Sequence, residues 1–596
     1  MMKRLLCLTL CALMLLGTLV LSGCSTSTDG EDEDIEKEAS RGTTTLNMMV
    51  MTEDNTDPEQ AAAVEEAINK ITKSRFKTKV NIIFLPEGEY YQALEQSFAD
   101  KEAEVALKKE AETALKRYIK EHRSEYGKDG AQEKFYEEYP EYLKYKETTT
   151  DPTAETTPEE TVYNEDTGLL ELKYPEADPN VIDIFFIGGY ERFQEYIEKE
   201  WINRIDDELT SGSKKLKDYV SDVFMESVKI EGATYAVPNN RTIGEYTYML
   251  VNKELLAKYF YDASSFNGLA DCQEFLEDIV RFEPDVVPID GAPGLYNVLY
   301  WDIDPDTLKV NKNNFSIIGT TYSTTASYGT QLQFTSLFAS KKAFRDQLLT
   351  NKLYEERGYF KSNVAADATC AIKIVSGGAE LEKIYSDTYE MVVLESPHAE
   401  TDDIFASMFA VGGYSNDVSR AMEIITYINT NAEMRNLLQY GIENVNYTLD
   451  ENGQVTYTED NKYWMDLTKT GNAFIAYTLS GTDPEVWEYG MKQNRDATVD
   501  MLLGFSFEEA DVDTDLIKKI QALSVQVQQR LDACKTYDEL KALIDTLTTE
   551  LRPQSNADIK RYTSPPATLE DDDNAKETPY SVLYEWMESM GFITDD

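Results

Sequence analysis

The sequence predicts an α/β protein of more than one domain, and three observations carry that expectation. Its 596 residues exceed what a single hydrophobic core usually spans. From Thr45 onward, short β-branched and aromatic runs alternate with longer stretches of helical spacing. Ahead of them stand a basic start (Lys3, Arg4) and an apolar stretch from Leu5 to Val20, the layout of a secretory signal.

The leader closes on Leu21-Ser22-Gly23-Cys24. This run resembles the lipobox of bacterial lipoproteins, which implies cleavage before Cys24 and attachment of lipid to its sulfur. Ser25 to Thr43 is polar, acidic and nearly free of large apolar residues, so 24–43 reads as a disordered tether behind the 1–23 signal peptide. No other segment approaches the roughly 18 apolar residues that a membrane span needs.

Thr45 to Met51 is the first strand candidate. Asp57-Pro58 supplies an N-cap and a proline at the first helical position, followed by Ala61, Val64, Ile68 and Ile71 on one face. Val80 to Leu85 is a second strand, stopped by Pro86, and another helix starts near Glu89. Leu107, Ala111, Leu115, Tyr118 and Ile119 carry its stripe through lysine- and glutamate-rich sequence. Clustered tyrosines follow, then a Thr/Glu/Pro/Asp/Ala run from Glu147 to Thr161. Residues 101–174 therefore read as an insertion, part charged helix and part loop.

Val181 to Ile187 has the composition of a fully buried strand. Ile230 to Ala233 reads as a tight hairpin turn, with Thr234 to Val237 returning and Pro238 stopping it. Tyr246 to Asn252 is a strand running into a helix over Lys253 to Phe260. Later strands are expected at Tyr389 to Leu394 and Phe405 to Val411, and a capped helix at Asn416-Asp417. Beyond Phe507 the tail is helical, with Ile520, Leu523, Val527 and Leu531 in a stripe.

Composition excludes several function classes. Lysine and arginine total 57 against 109 aspartate and glutamate, a formal net charge of −52, which repels nucleic acid and anionic lipid head groups. With Cys7 and Cys11 in the leader and Cys24 carrying lipid, Cys272, Cys370 and Cys534 remain, and no C-x-x-C pair exists for zinc or redox chemistry. The chain holds two histidines, His122 and His398, a poor supply of general bases and metal ligands. Asp511-x-Asp513-x-Asp515 opens like a calcium loop, but Leu516 stands in place of its glycine and Ala522 in place of its closing glutamate. No catalytic residue, metal or cofactor is expected.

The order of segments resembles the extracellular solute-binding proteins of ABC importers, of the two-lobed type II chain path. Asp183-Ile184-Phe185-Phe186 with Gly188-Gly189-Tyr190 is similar to that family's third strand ending at the cleft. Trp201-Ile202 with Ile205-Asp206, Thr234 to Pro238 and Tyr248 to Leu255 continue the pattern into the first crossover. Leu437 to Tyr447, Gly471 to Phe474, Trp487 and Leu503 to Phe507 resemble the sugar-binding subgroup, with Asn444 where a glycine is usual.

The resemblance implies lobe 1 over 44–245, lobe 2 over 246–405, a return to lobe 1 over 406–485, and a lobe 2 return with C-terminal helices over 486–596. It implies a monomer at the outer face of the cell membrane, held by its lipid anchor. Such a protein captures a small solute by hinge closure and passes it to an ABC transporter permease. Sugar rings stack on aromatic faces and their hydroxyls bond amides and carboxylates. The candidate ligand residues are Gly189, Tyr190, Asn239, Asn240, Tyr246 and Tyr414, with Trp301 and Trp487 as stacking platforms. A sugar or oligosaccharide is expected rather than a peptide. The alternatives are a surface glycoside hydrolase and a carbohydrate-adhesion module acting through the 101–174 insertion.

Overall fold

The computed structural model describes residues 42–145, 161–164, 169–230, 232–298, 302–303, 308, 310–311, 315–325, 329–500, 502–503, 505, 512–564 and 578–589. Cys24, the leader and most of the tether lie outside the described residues, as does Trp301. The chain divides into two compact units. One comprises Met1–Leu46, Ile68–Asn81 and Leu107–Asp178; the other comprises Asn47–Ala67, Ile82–Ala106 and Pro179–Asp596.

Along the chain, β1 (Thr44–Thr52), α1 (Pro58–Phe76), β2 (Thr78–Pro86) and α2 (Glu87–Glu138) precede β3 (Ile184–Ile187), α3 (Tyr190–Glu198) and β4 (Ala236–Pro238). The next stretch holds β5 (Tyr246–Asn252), α4 (Lys253–Tyr259), α5 (Gln273–Phe282), β6 (Val287–Asp290), β7 (Ile318–Thr325) and β8 (Gly329–Ser336). It ends with α6 (Lys342–Glu356), β9 (Phe360–Lys361), β10 (Cys370–Gly377) and β11 (Tyr389–Glu395). Then come β12 (Met408–Val411), α7 (Val418–Thr430), α8 (Ala432–Tyr440) and α9 (Val486–Asp496). Four helices close the chain: α10 (Thr514–Ala533), α11 (Tyr537–Glu550), α12 (Ala557–Thr563) and α13 (Pro579–Ser589).

Two five-stranded sheets organise these elements, ordered β2-β1-β3-β12-β4 and β9-β6-β10-β5-β11. In the first, β1 and β3 are parallel, and β12 runs antiparallel between β3 and β4. In the second, β6 is parallel to β9 and β10, and β5 runs antiparallel between β10 and β11. Both sheets thus share one order, second-first-third-inserted-fourth. In each, the inserted strand is the one that arrives from the other sheet. This is the α/β two-lobed type II architecture that the sequence implied.

Two of the helix caps are those read from sequence. Asp57 Oδ1 accepts the amides of Glu59 and Gln60, and Asp417 accepts that of Arg420. Asn252 accepts the amides of Glu254 and Leu255, so α4 starts where β5 ends. Asn444 takes the left-handed conformation with φ 64°, which asparagine tolerates better than most residues. One boundary differs from expectation. Phe405 closes a short helix (Thr401–Phe405) whose first turn is fixed by a capping box, and the strand begins at Met408. Asp513, in the rejected calcium-loop run, caps α10.

The C-terminal helices pack on the β7–β8 hairpin and α6 around Phe334, Phe338, Phe344, Leu516, Ile544 and Leu583. In the other unit, Asn69 ties α1 to β2 through both its amide atoms on Val80. There α2 kinks at Gly127, and Tyr118, Phe135 and Tyr136 form a small aromatic core. Among the described residues no helix is long and apolar enough to cross a membrane. Cys272, Cys370 and Cys534 are buried and free.

Gly412 marks the tightest approach in the first sheet. A Cβ there would collide with the carbonyl oxygen of Ile182. Gly412→Ala should lower stability by about 1–3 kcal/mol, as overpacking does. Urea unfolding would read this as a lower midpoint; an unchanged midpoint would show that the backbone yields freely.

Candidate functional site

Both sheets turn the carboxyl ends of their parallel strands toward the crossovers. The carboxyl end of β4 leads through 239–245 to the amino end of β5, and β11 leads through 396–407 to β12. Open α/β sheets bind ligands beyond such strand ends.

At the end of β3, Gly188 N–H donates to the Tyr91 hydroxyl at 3.1 Å, and Arg192 Nη1 donates to the Gly188 carbonyl at 2.7 Å. The Arg192 guanidinium lies 3.6 Å from the centre of the Tyr91 ring. Gly189, with φ 99°, is exposed just beyond, and its N–H donates to Phe405 O at 2.8 Å. Tyr190 packs its ring 4.7 Å from that of Phe405 and accepts a hydrogen bond from Gln194. Burial pushes its phenol up to about 12. Gly189 and Tyr190 are therefore brought together on a braced turn. Tyr91 and Arg192, which brace it, were not picked out from sequence; they meet only across the α2–α3 packing.

Asn239 and Asn240, at the end of β4, are buried. Asn239 Nδ2 donates to Ser407 Oγ at 2.9 Å and Asn240 Nδ2 to Tyr219 O at 3.0 Å. Their Oδ1 atoms are buried without a donor among the described residues. The two side chains thus point to different partners, and Asn239 ties the end of β4 to the end of the second crossover.

Tyr414 is not brought to this edge. Because β12 is antiparallel to β3, residues past Val411 emerge at the amino end of β3, where Gly412 N–H donates to Asp183 O at 2.9 Å. The expectation that Tyr414 joins Gly189 overlooked this reversal of direction. Trp464 lies at the carboxyl end of β1 instead. Its backbone bonds Glu53 and Thr56 just beyond β1, and its half-buried ring lies 4.7 Å from that of Tyr457.

In the second sheet, Tyr246 pairs with Gly377 at the carboxyl end of β10. Its ring is buried and stacks on Tyr248 at 5.0 Å, with Lys492 above it at 5.0 Å. Its hydroxyl donates to Asp496 at 2.6 Å, and Lys492 also reaches Asp496 and Glu382. Tyr246 is thus an internal post. Helix α9 also carries Trp487, whose Nε1 donates to Ala476 O at 2.8 Å and whose ring meets Phe474 edge-on at 6.0 Å. On the same helix Gln493 donates to the carbonyls of Ile243 and Gly244, and Asn494 accepts from Ile243 N–H and donates to Arg241 O. His398, on the second crossover, lies 3.0 Å from Thr498 Oγ1.

Among the described residues no group of three or more His, Cys, Asp or Glu could hold a metal ion. A groove of about 590 Å³ lies elsewhere, between α4 and the start of β11, lined by Lys253, Leu256, Tyr261, Glu390 and Met391. That is the opposite edge of the second sheet from the crossovers.

The hydrogen bond from Tyr246 holds the Asp496 carboxyl below the usual carboxylate range, against burial and with help from Lys492. A carboxylate lowered in this way adds stability that is complete above its unfolded pKa and is lost as pH falls through the folded value. Tyr246→Phe should move the Asp496 titration upward toward the ordinary range. A carbon NMR titration of the carboxyl would follow it, and an unmoved midpoint would assign the shift to Lys492 instead.

No family model matches the chain. A curated relative from Streptococcus pneumoniae serotype 4, named "Carbohydrate ABC transporter substrate-binding protein", is 23% identical over 349 residues. The match covers 53% of this chain and 65% of that relative. Among solved structures, the N-glycan transport solute binding protein NgtS of Streptococcus pneumoniae is 17% identical, covering 87% of this chain and 99% of its own, at a TM-score of 0.41. An extracellular solute-binding protein family 1 member from Alicyclobacillus acidocaldarius is 10% identical, covering 87% and 100%, at a TM-score of 0.37. The resemblance read in the sequence is met by the curated relative: the chain is similar in sequence to a carbohydrate substrate-binding protein of an ABC transporter.

Proposed function

We propose that the chain is a lipid-anchored extracellular solute-binding protein that captures a sugar or oligosaccharide and delivers it to an ABC transporter permease. One observation carries the reading. Both sheets present strand carboxyl ends toward the same crossovers, so a solute held by both can pull them together about that hinge. The curated relative's name supports the carbohydrate class. Binding needs no bond to be broken, so the protein acts as a receptor, not an enzyme, and works as a monomer.

On this reading Gly189, Tyr190 and Trp464 face the solute from the first sheet, with Trp487 from the other side. Asn239, Asn240 and Tyr246 fix the strand ends behind them. Cys24 carries the lipid, and the tether after it keeps the lobes near a transporter.

Small-angle scattering should show a smaller radius of gyration when the right oligosaccharide binds. A ligand at 100 times its dissociation constant should also stabilise the fold by about 2.7 kcal/mol, visible as a thermal shift. Hydrolysis of the oligosaccharide during the assay would favour a glycoside hydrolase, and binding without compaction would remove the hinge. Cys24→Ser should release a soluble protein that still binds ligand; loss of binding on release would contradict a purely anchoring role.

A further inference from the structure

The insertion carries a charge pattern unlike the rest of the chain. The whole sequence has a net charge of −52, yet residues 107–145 hold nine lysines and arginines and nine aspartates and glutamates. Within α2, Lys109, Lys116, Lys120 and Arg123 are spaced seven, four and three residues apart. At 3.6 residues per turn they fall within an arc of about 60°. All four are exposed. Ala111 and Tyr118, which are buried, and the half-buried Leu115 and His122 occupy the roughly opposite face. The packed side of the helix therefore fixes the basic side toward solvent.

Little on the helix neutralises this stripe. Lys116 lies 3.9 Å from Glu112, both well exposed. No ion pair is recorded among the described residues for Lys109, Lys120 or Arg123. Glu110 and Glu121 project to other faces of the helix, about 100° and 120° from Lys109. The sequence accounts for the stripe as a solvated helix face, but a solvated face in so acidic a chain does not require four cations in register.

We propose that this stripe docks on an anionic lipid surface. Charge complementarity selects the partner. An acidic protein is repelled by anionic headgroups, and a local row of cations is the part that such a surface attracts. The inference rests on the lipid-anchor reading only for what brings the helix to the membrane; the contact itself is made by the four side chains. Each basic residue near such a surface is worth about fivefold in binding, so four together give on the order of several hundredfold.

The mature chain with Cys24→Ser, which has no acyl group, separates the stripe from the anchor. It should sediment with phosphatidylglycerol vesicles at low salt and not with phosphatidylcholine vesicles. Binding should vanish at about 1 M salt, where the Debye length is near 3 Å. The variant with Lys109→Glu, Lys116→Glu, Lys120→Glu and Arg123→Glu should lose at least about a hundredfold of the vesicle binding. A second variant with glutamine at the four positions preserves helix propensity and should lose most of it. Far-UV circular dichroism and the oligosaccharide thermal shift should be unchanged in both. Equal vesicle binding by wild type and variants would overturn the proposal, as would absence of binding to phosphatidylglycerol. Binding to soluble polyphosphate but not to vesicles would overturn the lipid assignment. Failure of every oligosaccharide to bind, with vesicle binding intact, would count against the receptor reading alone.

Discussion

The exchange of one strand between two sheets is the constraint on which the rest depends. β5 is hydrogen-bonded along its length to β10 on one side and β11 on the other. β12 is held in the same way by β3 and β4. A one-residue slip of either would turn its whole apolar set to the wrong face. The pleat shows what is at stake in β5. Tyr246, Tyr248 and Leu250 fill one small core, while Met249 and Val251 fill another with α4 and α5. A strand buried on both faces has to be apolar almost throughout, and β5 is.

Because the inserted strands are fixed in register, the segments leading into them are fixed at both ends. Motion is left to a few backbone torsions between. Gln493 and Asn494 hold 241–244 from the side, and Gly490 lets α9 approach Thr242 so closely that a Cβ would collide. Gly244, with φ 60°, lies against the backbone of His398 on the second crossover. The two crossovers therefore touch. A rotation at one has to be shared by the other.

Much of this was legible in the sequence, for identifiable reasons. Caps are local, so Asp57 and Asp417 announce their helices. Buried strands such as Ile184–Ile187 are apolar on both faces and stand out. The second sheet was harder to read. Val287–Asp290 has four residues with a proline, and Phe360–Lys361 has two; neither is a strand without its neighbours. The hairpin β7–β8 is rich in threonine, serine and glutamine and reads as loop until packing buries its inner face. Site residues divide in the same way. Gly189 and Tyr190 follow from a strand end, whereas Tyr414 required the direction of β12, and Trp464 reaches its edge through contacts with residues some 400 positions earlier.

The basic stripe takes its direction from burial of the opposite face of the helix. Its length then decides how it can act. From Lys109 to Arg123 the helix rises about 21 Å, more than two Debye lengths at physiological salt. The two ends of the row are screened from one another, whereas neighbours only about 4.5 to 10.5 Å apart along the axis meet a surface together. Each contact is weak and exchanges quickly, and the row binds only as a sum. A lipid chain fixes how far the protein can travel but not which way it faces. On the proposed reading, a line of weak contacts on the helix sets that orientation without holding the protein so firmly that it could not turn to a transporter.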